Sequence, residues 1–261
     1  MNAVILCAGF ATRMYPLTRD FPKPLLPVAG RPVLDYLLDQ LTECAGISAV
    51  HLVSNGRFYD HFCRWRDDHL AQGTYGSLAI EICDDGARDN DSRLGASADL
   101  ALALKMIGVP DKIMVSGGDN IYRFALAPLW RKFLQGNEHR IVALVEEEKE
   151  KLTRTGVLEF GEDERVIRLY EKPTVPPSHW VCPPLYFFQP SVWTELEHFL
   201  TSSANHDAPG HFIEYLCRET TVMGFQLRER RLDIGSMETY RQADEELGGN
   251  KGTRELGGHN T

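Results

Sequence analysis

Apolar positions in the first half of the chain fall into short continuous runs, separated by stretches with helical spacing. "AVIL" (Ala3 to Leu6) is such a run, ended by Gly9, and reads as a strand buried on both faces. "AVHLVS" (Ala49 to Ser54), "LAIEIC" (Leu78 to Cys83), "KIMVSGGD" (Lys112 to Asp119) and "RIVALVEE" (Arg140 to Glu147) read the same way. Between them, Leu34, Leu37, Leu38, Leu41 and Ala45 recur at helical spacing. Pro32 suits the first helical position there and Gly46 the stop. Further helices are expected around Ala96 to Met106 and just before Arg140. Strand and helix in alternation predict an α/β protein with a mostly parallel sheet flanked by helices. In such sheets ligands bind at the carboxyl ends of the strands. Gly9 to Arg13 and Gly117 to Asn120 both fall at strand carboxyl ends, on one rim.

The second half changes pattern. "TGVLEFG", "RVIRLYEKP" and "WVCPPLYFF" read as strands with turns between them. Helices are expected at about Ser191 to Leu200 and Phe212 to Arg218, a strand at Val222 to Leu227, and a capped helix from Ser236. No linker divides the chain, so 1–247 reads as one domain with a smaller mixed β elaboration. Residues 248–261 read as a polar, glycine-rich, disordered tail.

Composition narrows the function. The chain has 261 residues and a net charge of −9, which disfavours nucleic acid or an anionic membrane as partner. No apolar stretch approaches a membrane span, and the N-terminus lacks the basic region of a signal peptide. The six cysteines form no C-x-x-C pair, so a cytoplasmic protein without a zinc ribbon is expected.

Against this acidic background, "GFATRMYPLTRDFPKPLLP" (Gly9 to Pro27) concentrates small residues, basic residues and four prolines. A small-residue turn after a first strand lets backbone N–H groups approach a phosphate. Arg13 can fork onto phosphate oxygens, and Lys23, between Pro22 and Pro24, adds a point charge. Neither a P-loop nor a dinucleotide fingerprint is present. In "SGGDN" and "LDIGS", Asp119 and Asp233 each end a strand next to glycine, which suits Mg²⁺ shared with substrate phosphates. Each aspartate alone also reads as a turn residue. "YEKP" places Glu171 and Lys172 at a strand end.

In this order and spacing the motifs resemble the sugar-1-phosphate nucleotidyltransferases, most nearly the glucose-1-phosphate thymidylyltransferases. The resemblance rests on "LCAGFATRMYPLT", "PKPLLPVAGRPVLDY", "LGASADLALAL", "GGDN", "TGVLEF", "EKP", "LYFF" and "LDIGSMETY", spanning Leu6 to Tyr240. It implies a Rossmann-like fold whose β elaboration carries the sugar site. It implies that a nucleoside triphosphate and a sugar 1-phosphate yield a nucleotide-diphospho-sugar and pyrophosphate, with Mg²⁺. Ala8, Gly9, Ala11 and Thr12 would cradle the nucleotide phosphates. Arg13 would hold the departing pyrophosphate, and Lys23 the α- and β-phosphates. Gly95 would lie near the nucleoside, and Asp119 and Asp233 on the metal; in the region of the family's base-reading glutamine this sequence offers Asp84 and Asp85, which read either as acceptors for a base edge, beside the Gly86 backbone, or as a turn before Gly86. Gly156, Glu171 and Tyr186 would face the sugar, with Lys172 on its phosphate.

Three departures stand out, the first in the phosphate loop, where a position needing positive φ would strain alanine, and the last two in substrate selection. Ala11 replaces the second glycine of the opening motif. "DDGARDNDSRLGA" lacks the family's base-reading glutamine, and "VCPPLYFF" lacks a threonine-glycine before Leu185. Base and sugar therefore stay open, with dTTP or UTP ahead of CTP. A cytidylyltransferase acting on phosphocholine or another phospho-alcohol is the nearest alternative. A non-catalytic sensor on the same fold fits less well, since both aspartates are present. Association into a homo-oligomer is left open.

Overall fold

The computed structural model describes residues 1–109, 111–202 and 209–249. Its centre is a ten-stranded sheet. Four strands make the parallel half: β1 (Asn2–Leu6), β4 (Ala49–Ser54), β5 (Ala79–Asp84) and β6 (Ile113–Gly117), ordered β5-β4-β1-β6. The short strands β2 (Pro27–Val28) and β3 (Arg31–Pro32) form a separate hairpin. The order runs one way from β1 to β5 and the other way to β6, which makes the carboxyl ends of β1 and β6 the switch point where α/β sheets bind ligands.

Beyond β6 the sheet becomes mixed. β12 (Leu185–Phe188) is antiparallel to both β6 and β8 (His139–Val145), and β13 (Val222–Leu227) runs parallel to β8. β9 (Gly156–Phe160), β10 (Val166–Glu171) and β11 (Trp180–Val181) extend this edge with antiparallel pairs. These strands of the second half thus continue the first sheet.

Helices cover both faces. β1 shows why its apolar run is continuous: Ala3 and Ile5 enter one core and Val4 the other. The first core lies under α1 (Val33–Thr42), α2 (Tyr59–Gln72) and α4 (Leu126–Gln135), and includes Leu34, Phe62 and Trp130. The second lies under α3 (Ala96–Ile107), α6 (Val192–Ser202) and α7 (Pro209–Glu219). α5 (Lys149–Leu152) is a single turn at the mixed edge. A third, smaller core joins Met14, Leu26 and Val28 of the opening loops to Ile121, Ile234 and Ala243. Met14 is 1% exposed, and burying a side chain of its size contributes ~1.5–3 kcal/mol. That core packs the opening loop against the ribbon of β7 (Asn120–Tyr122) and β14 (Arg231–Asp233) and against α8 (Met237–Gly248).

Several sequence expectations need correction. Pro32 is not the first helical residue: it belongs to β3, and α1 begins at Val33. α1 stops at Thr42 rather than Gly46, because Glu43 and Cys44 close the last turn through N–H bonds to Gln40 and Leu41 carbonyls. α2 was not anticipated. Only Phe62 and Trp65 of its fourteen residues are buried, so it carries no apolar stripe. α8 runs through Gly248, the first residue of the span read as a tail, and residues 250–261 of that span lie outside the described residues. No described helix is long and apolar enough to cross a membrane.

Candidate active site

The opening loop leaves the end of β1 over the switch point. Asn55, fully buried after β4, anchors it: Nδ2 donates to the Ala8 carbonyl (2.9 Å), and Oδ1 accepts the Phe58 N–H (3.0 Å). Gly9 faces outward, and a Cβ built there meets nothing within 4 Å. Packing therefore does not require this glycine, and its open backbone is available to a ligand. Ala11 adopts a left-handed conformation (φ 49, ψ 42) and begins a turn over Thr12–Met14. The Ala11 carbonyl accepts from the Thr18 hydroxyl (2.8 Å) and the Met14 N–H (2.9 Å), which fixes the turn. Arg13 projects into solvent and has no ion pair or hydrogen bond with another described side chain.

Ala11 supports a stability prediction. A left-handed alanine costs roughly 1–2 kcal/mol, and a glycine there adds ~0.4–1 kcal/mol of unfolded-chain freedom. Ala11→Gly is expected to raise Tm by about 1–3 °C in a thermal melt. A fall in Tm would show that the turn imposes no such cost.

Lys23 enters from a second turn, Lys23–Leu25, with Pro22 and Pro24 buried on either side. Its ammonium contacts Asp119 Oδ2, and Asn120 Nδ2 donates to Asp119 Oδ1 (2.6 Å). Asp119 sits on the Gly117–Gly118 turn between β6 and β7. That turn tolerates no side chain at 118, where a Cβ would overlap Cys7 Sγ. Burial pushes the Asp119 carboxyl up, but Lys23 and Arg231 together pull it below the ordinary carboxylate range. The β7–β14 pairing sets Asp233 opposite Asn120, and the Ile234 N–H donates to the Asp119 carbonyl (3.1 Å). Arg231 contacts Asn120 Oδ1 and lies 3.4 Å from Asp233 Oδ2. The fold thus brings Lys23, Asp119 and Asp233 into one network, although the two aspartates are far apart in sequence. Its donors, two carboxylates at a solvent-facing rim, are hard oxygens of the kind Mg²⁺ takes together with phosphate. These residues fit that ion.

A second group lies on the mixed edge. Gly156 pairs with Glu171 across β9 and β10, and Lys172 follows with φ 49. Lys172 Nζ lies 3.6 Å from Glu171 Oε1 and is 62% exposed, so it faces solvent. A Cβ at Gly156 would come 3.3 Å from Glu171 Oε2, and one at Gly210 would overlap that oxygen. Glu171 therefore rests against the first turn of α7, where the helix dipole favours a carboxylate. Tyr186 is buried on β12, within electrostatic reach of Cys182 and Glu171, and burial raises its hydroxyl well above the ordinary tyrosine value. It also lines a small apolar cleft with Leu6, Ala96, Ser97 and Phe212.

The third group joins β5 to α3. Asp84 Oδ1 accepts the Gly86 N–H (2.8 Å), and Gly86 has φ 82. Asp84 is thus engaged by its own turn, with Arg88 Nη2 3.8 Å from its other oxygen. Gly95 caps α3 with φ 92, a conformation that suits glycine. Asn55, Arg231 and Gly210 were not singled out from sequence. Asn55 and Arg231 sit in polar surroundings ordinary for loops, and Gly210 is explained only by its contact with Glu171.

The open backbone at Gly9, the cations Arg13 and Lys23 and the carboxylates Asp119 and Asp233 thus lie on loops at the carboxyl-end rim of an α/β sheet. The chain belongs to the nucleotidyl transferase family, whose profile matches residues 2–249. It is 27% identical over 252 residues to a UTP–glucose-1-phosphate uridylyltransferase, AglF, of Haloferax volcanii, covering 95% of this chain and 96% of that one. It is 28% identical over 246 residues to a glucose-1-phosphate thymidylyltransferase of Neisseria meningitidis, covering 93% and 81%. It spans about half the length of other relatives, such as the bifunctional protein GlmU of Methanocaldococcus jannaschii (51%). A UDP-glucose pyrophosphorylase solved with UDP-glucose has the same fold, with a TM-score of 0.80 at 16% identity over 95% of this chain and 98% of that one.

Proposed function

We propose that this protein joins a nucleoside triphosphate to a sugar 1-phosphate, releasing pyrophosphate and a nucleotide-diphospho-sugar. The observation that carries the reading is the Lys23–Asp119–Asp233 network beside the open backbone of Gly9. The family match and the names of the relatives support it. A sugar-phosphate oxygen bonds to the α-phosphorus as the bond to pyrophosphate breaks, so no proton need move. Such a reaction needs positioning and charge neutralisation more than a covalent nucleophile.

Backbone N–H groups from Gly9 to Thr12 cradle the triphosphate. Arg13 forks onto the pyrophosphate part, Lys23 serves the α- and β-phosphates, and Lys172 holds the sugar phosphate. Glu171 accepts sugar hydroxyls beside Gly156 and Tyr186. Mg²⁺ on Asp119 and Asp233 would offset the charge of the reacting phosphates. The nucleoside lies near Gly86 and Gly95. Because Asp84 is occupied by its turn, base selection falls to backbone groups there, which can both donate to and accept from a uracil or thymine edge. dTTP or UTP is therefore placed first and CTP second.

Pyrophosphate release with dTTP, UTP, CTP, ATP and GTP, each against several sugar 1-phosphates with Mg²⁺, tests this. The highest kcat/KM is expected for dTTP or UTP. A purine preference overturns the base assignment, and no release with any pair overturns the reaction.

A further inference from the structure

Two buried carboxyl oxygens beside the nucleoside segment lack a donor. Asp85 follows β5; its N–H donates to the Ser54 carbonyl (2.9 Å), and its Oδ1 accepts the Ala87 N–H (2.7 Å). Its Oδ2 is buried and unpartnered. Asp99, in the first turn of α3, is 6% exposed, and its Oδ1 is likewise unpartnered. The two carboxyl groups lie within hydrogen-bonding reach of each other. Two ionised carboxylates placed so would repel and leave both oxygens unsatisfied. Among the described residues no neighbour donates to these two oxygens, and the Gly56 N–H, which also acts on Asp85, is given to the Ala87 carbonyl (2.8 Å). Ser97 Oγ, on the same turn, is itself buried without a partner, and Arg88 is spent on the Gly56 carbonyl and Asp84. One proton between the two groups satisfies both oxygens.

We propose that Asp85 and Asp99 share one proton, and that this bond positions Gly86 and Gly95 for the nucleoside by tying the end of β5 to the first turn of α3. The positioning role rests on the reading of this segment as the nucleoside site. Both residues are positioning residues, since neither oxygen is open to a ligand.

The proton resides on Asp99. Burial first, then the charge and hydrogen bond of Asp85, push the Asp99 carboxyl up to about 7. Asp85 is raised by burial and by Asp84, against the pull of the Ala87 N–H. Asp85 is the charge that faces Asp99, Asp84 acts on Asp85, and none from β1, β4, α6 or α7 acts on Asp99 among the described residues. The folded protein therefore binds this proton more tightly than the unfolded chain does. The stabilisation is full in acid, declines above the ordinary carboxylate range, and is lost once pH passes about 7.

The test compares wild type with Asp99→Asn, whose amide donates to Asp85 at any pH. Without substrate, the wild-type Tm is expected to fall relative to Asp99→Asn between pH 6 and 8.5. A protonated-carboxyl band in the wild-type infrared spectrum is expected to disappear over the same range, a measurement that needs no variant. The Kd for UTP with Mg²⁺ is expected to rise at least ~5-fold in wild type over this range, from opening of a group titrating near 7, and to rise less in Asp99→Asn. Parallel Tm profiles together with no carboxyl band overturn the shared proton. A shared proton with the same Kd profile in both proteins overturns its positioning role. Failure of every nucleoside triphosphate to bind at any pH overturns the nucleotide reading and the positioning role together, while the melts and the infrared band still decide the shared proton.

Discussion

Asp119→Asn is expected to lower the turnover of nucleotide-sugar synthesis by at least ~100-fold, the scale of losing charge stabilisation at a phosphoryl centre. The asparagine keeps the shape of the side chain and its contact with Asn120, so the GGDN turn should survive. What is lost is the charge that faces Lys23 and that would hold the metal. Asp233→Asn is expected to act in the same direction, with Arg231 left facing a neutral partner. Initial rates at saturating Mg²⁺, with melts to confirm folding, decide the matter. Near-normal rates in either variant would remove that residue from the site.

Gly210→Ala should injure the other substrate. An alanine within a helix ordinarily stabilises it by roughly 0.5–1 kcal/mol over glycine. Here the new Cβ would overlap Glu171 Oε2, so the carboxylate must leave its place against Gly156 and α7. The atom met is the far end of a flexible side chain, so the shift costs little stability and is read in the sugar site instead. A displaced sugar-site carboxylate is expected to raise KM for the sugar phosphate on the order of tenfold. KM for the nucleoside triphosphate should stay within about twofold, because Glu171 lies outside the phosphate loop. An equal rise in both KM values would mean that Glu171 does not serve the sugar.

The two variants differ in how visible their targets are in the sequence. Asp119 stands at the end of an apolar run and beside two glycines, so a strand-end carboxylate can be read directly. Gly210 carries no local signal, because its constraint comes from Glu171 on a strand that pairs elsewhere. The same contrast holds for the elements. β1, β4 and β6 are legible because residues on both faces are buried, which leaves unbroken apolar runs. α2 is hidden because only Phe62 and Trp65 turn inward. The β7–β14 ribbon is hidden because each strand has three residues, too few for a period to emerge. The cationic loop was legible as chemistry, but the partnership of Lys23 with Asp119 was not, since it joins two separate turns. Asp84 reads in sequence both as a base contact and as a turn residue, and in the structure its Oδ1 accepts the Gly86 N–H of its own turn.

The third core has a consequence for synthesis of the chain. Tyr240 Oη donates to the Pro27 carbonyl (2.7 Å), and the Ala29 N–H donates to Asp244 Oδ1 (2.7 Å), so the last helix fastens the segment that follows Lys23. A ribosome makes that segment first and its fastening more than two hundred residues later. At typical elongation rates the interval is roughly 10–40 s. Throughout it the nascent chain can form β1 and α1 but lacks both the Asp233 turn and the helix that secures the opening loop. The proposed site should therefore be complete only once α8 has been made and packed, however early the parallel half of the sheet has formed.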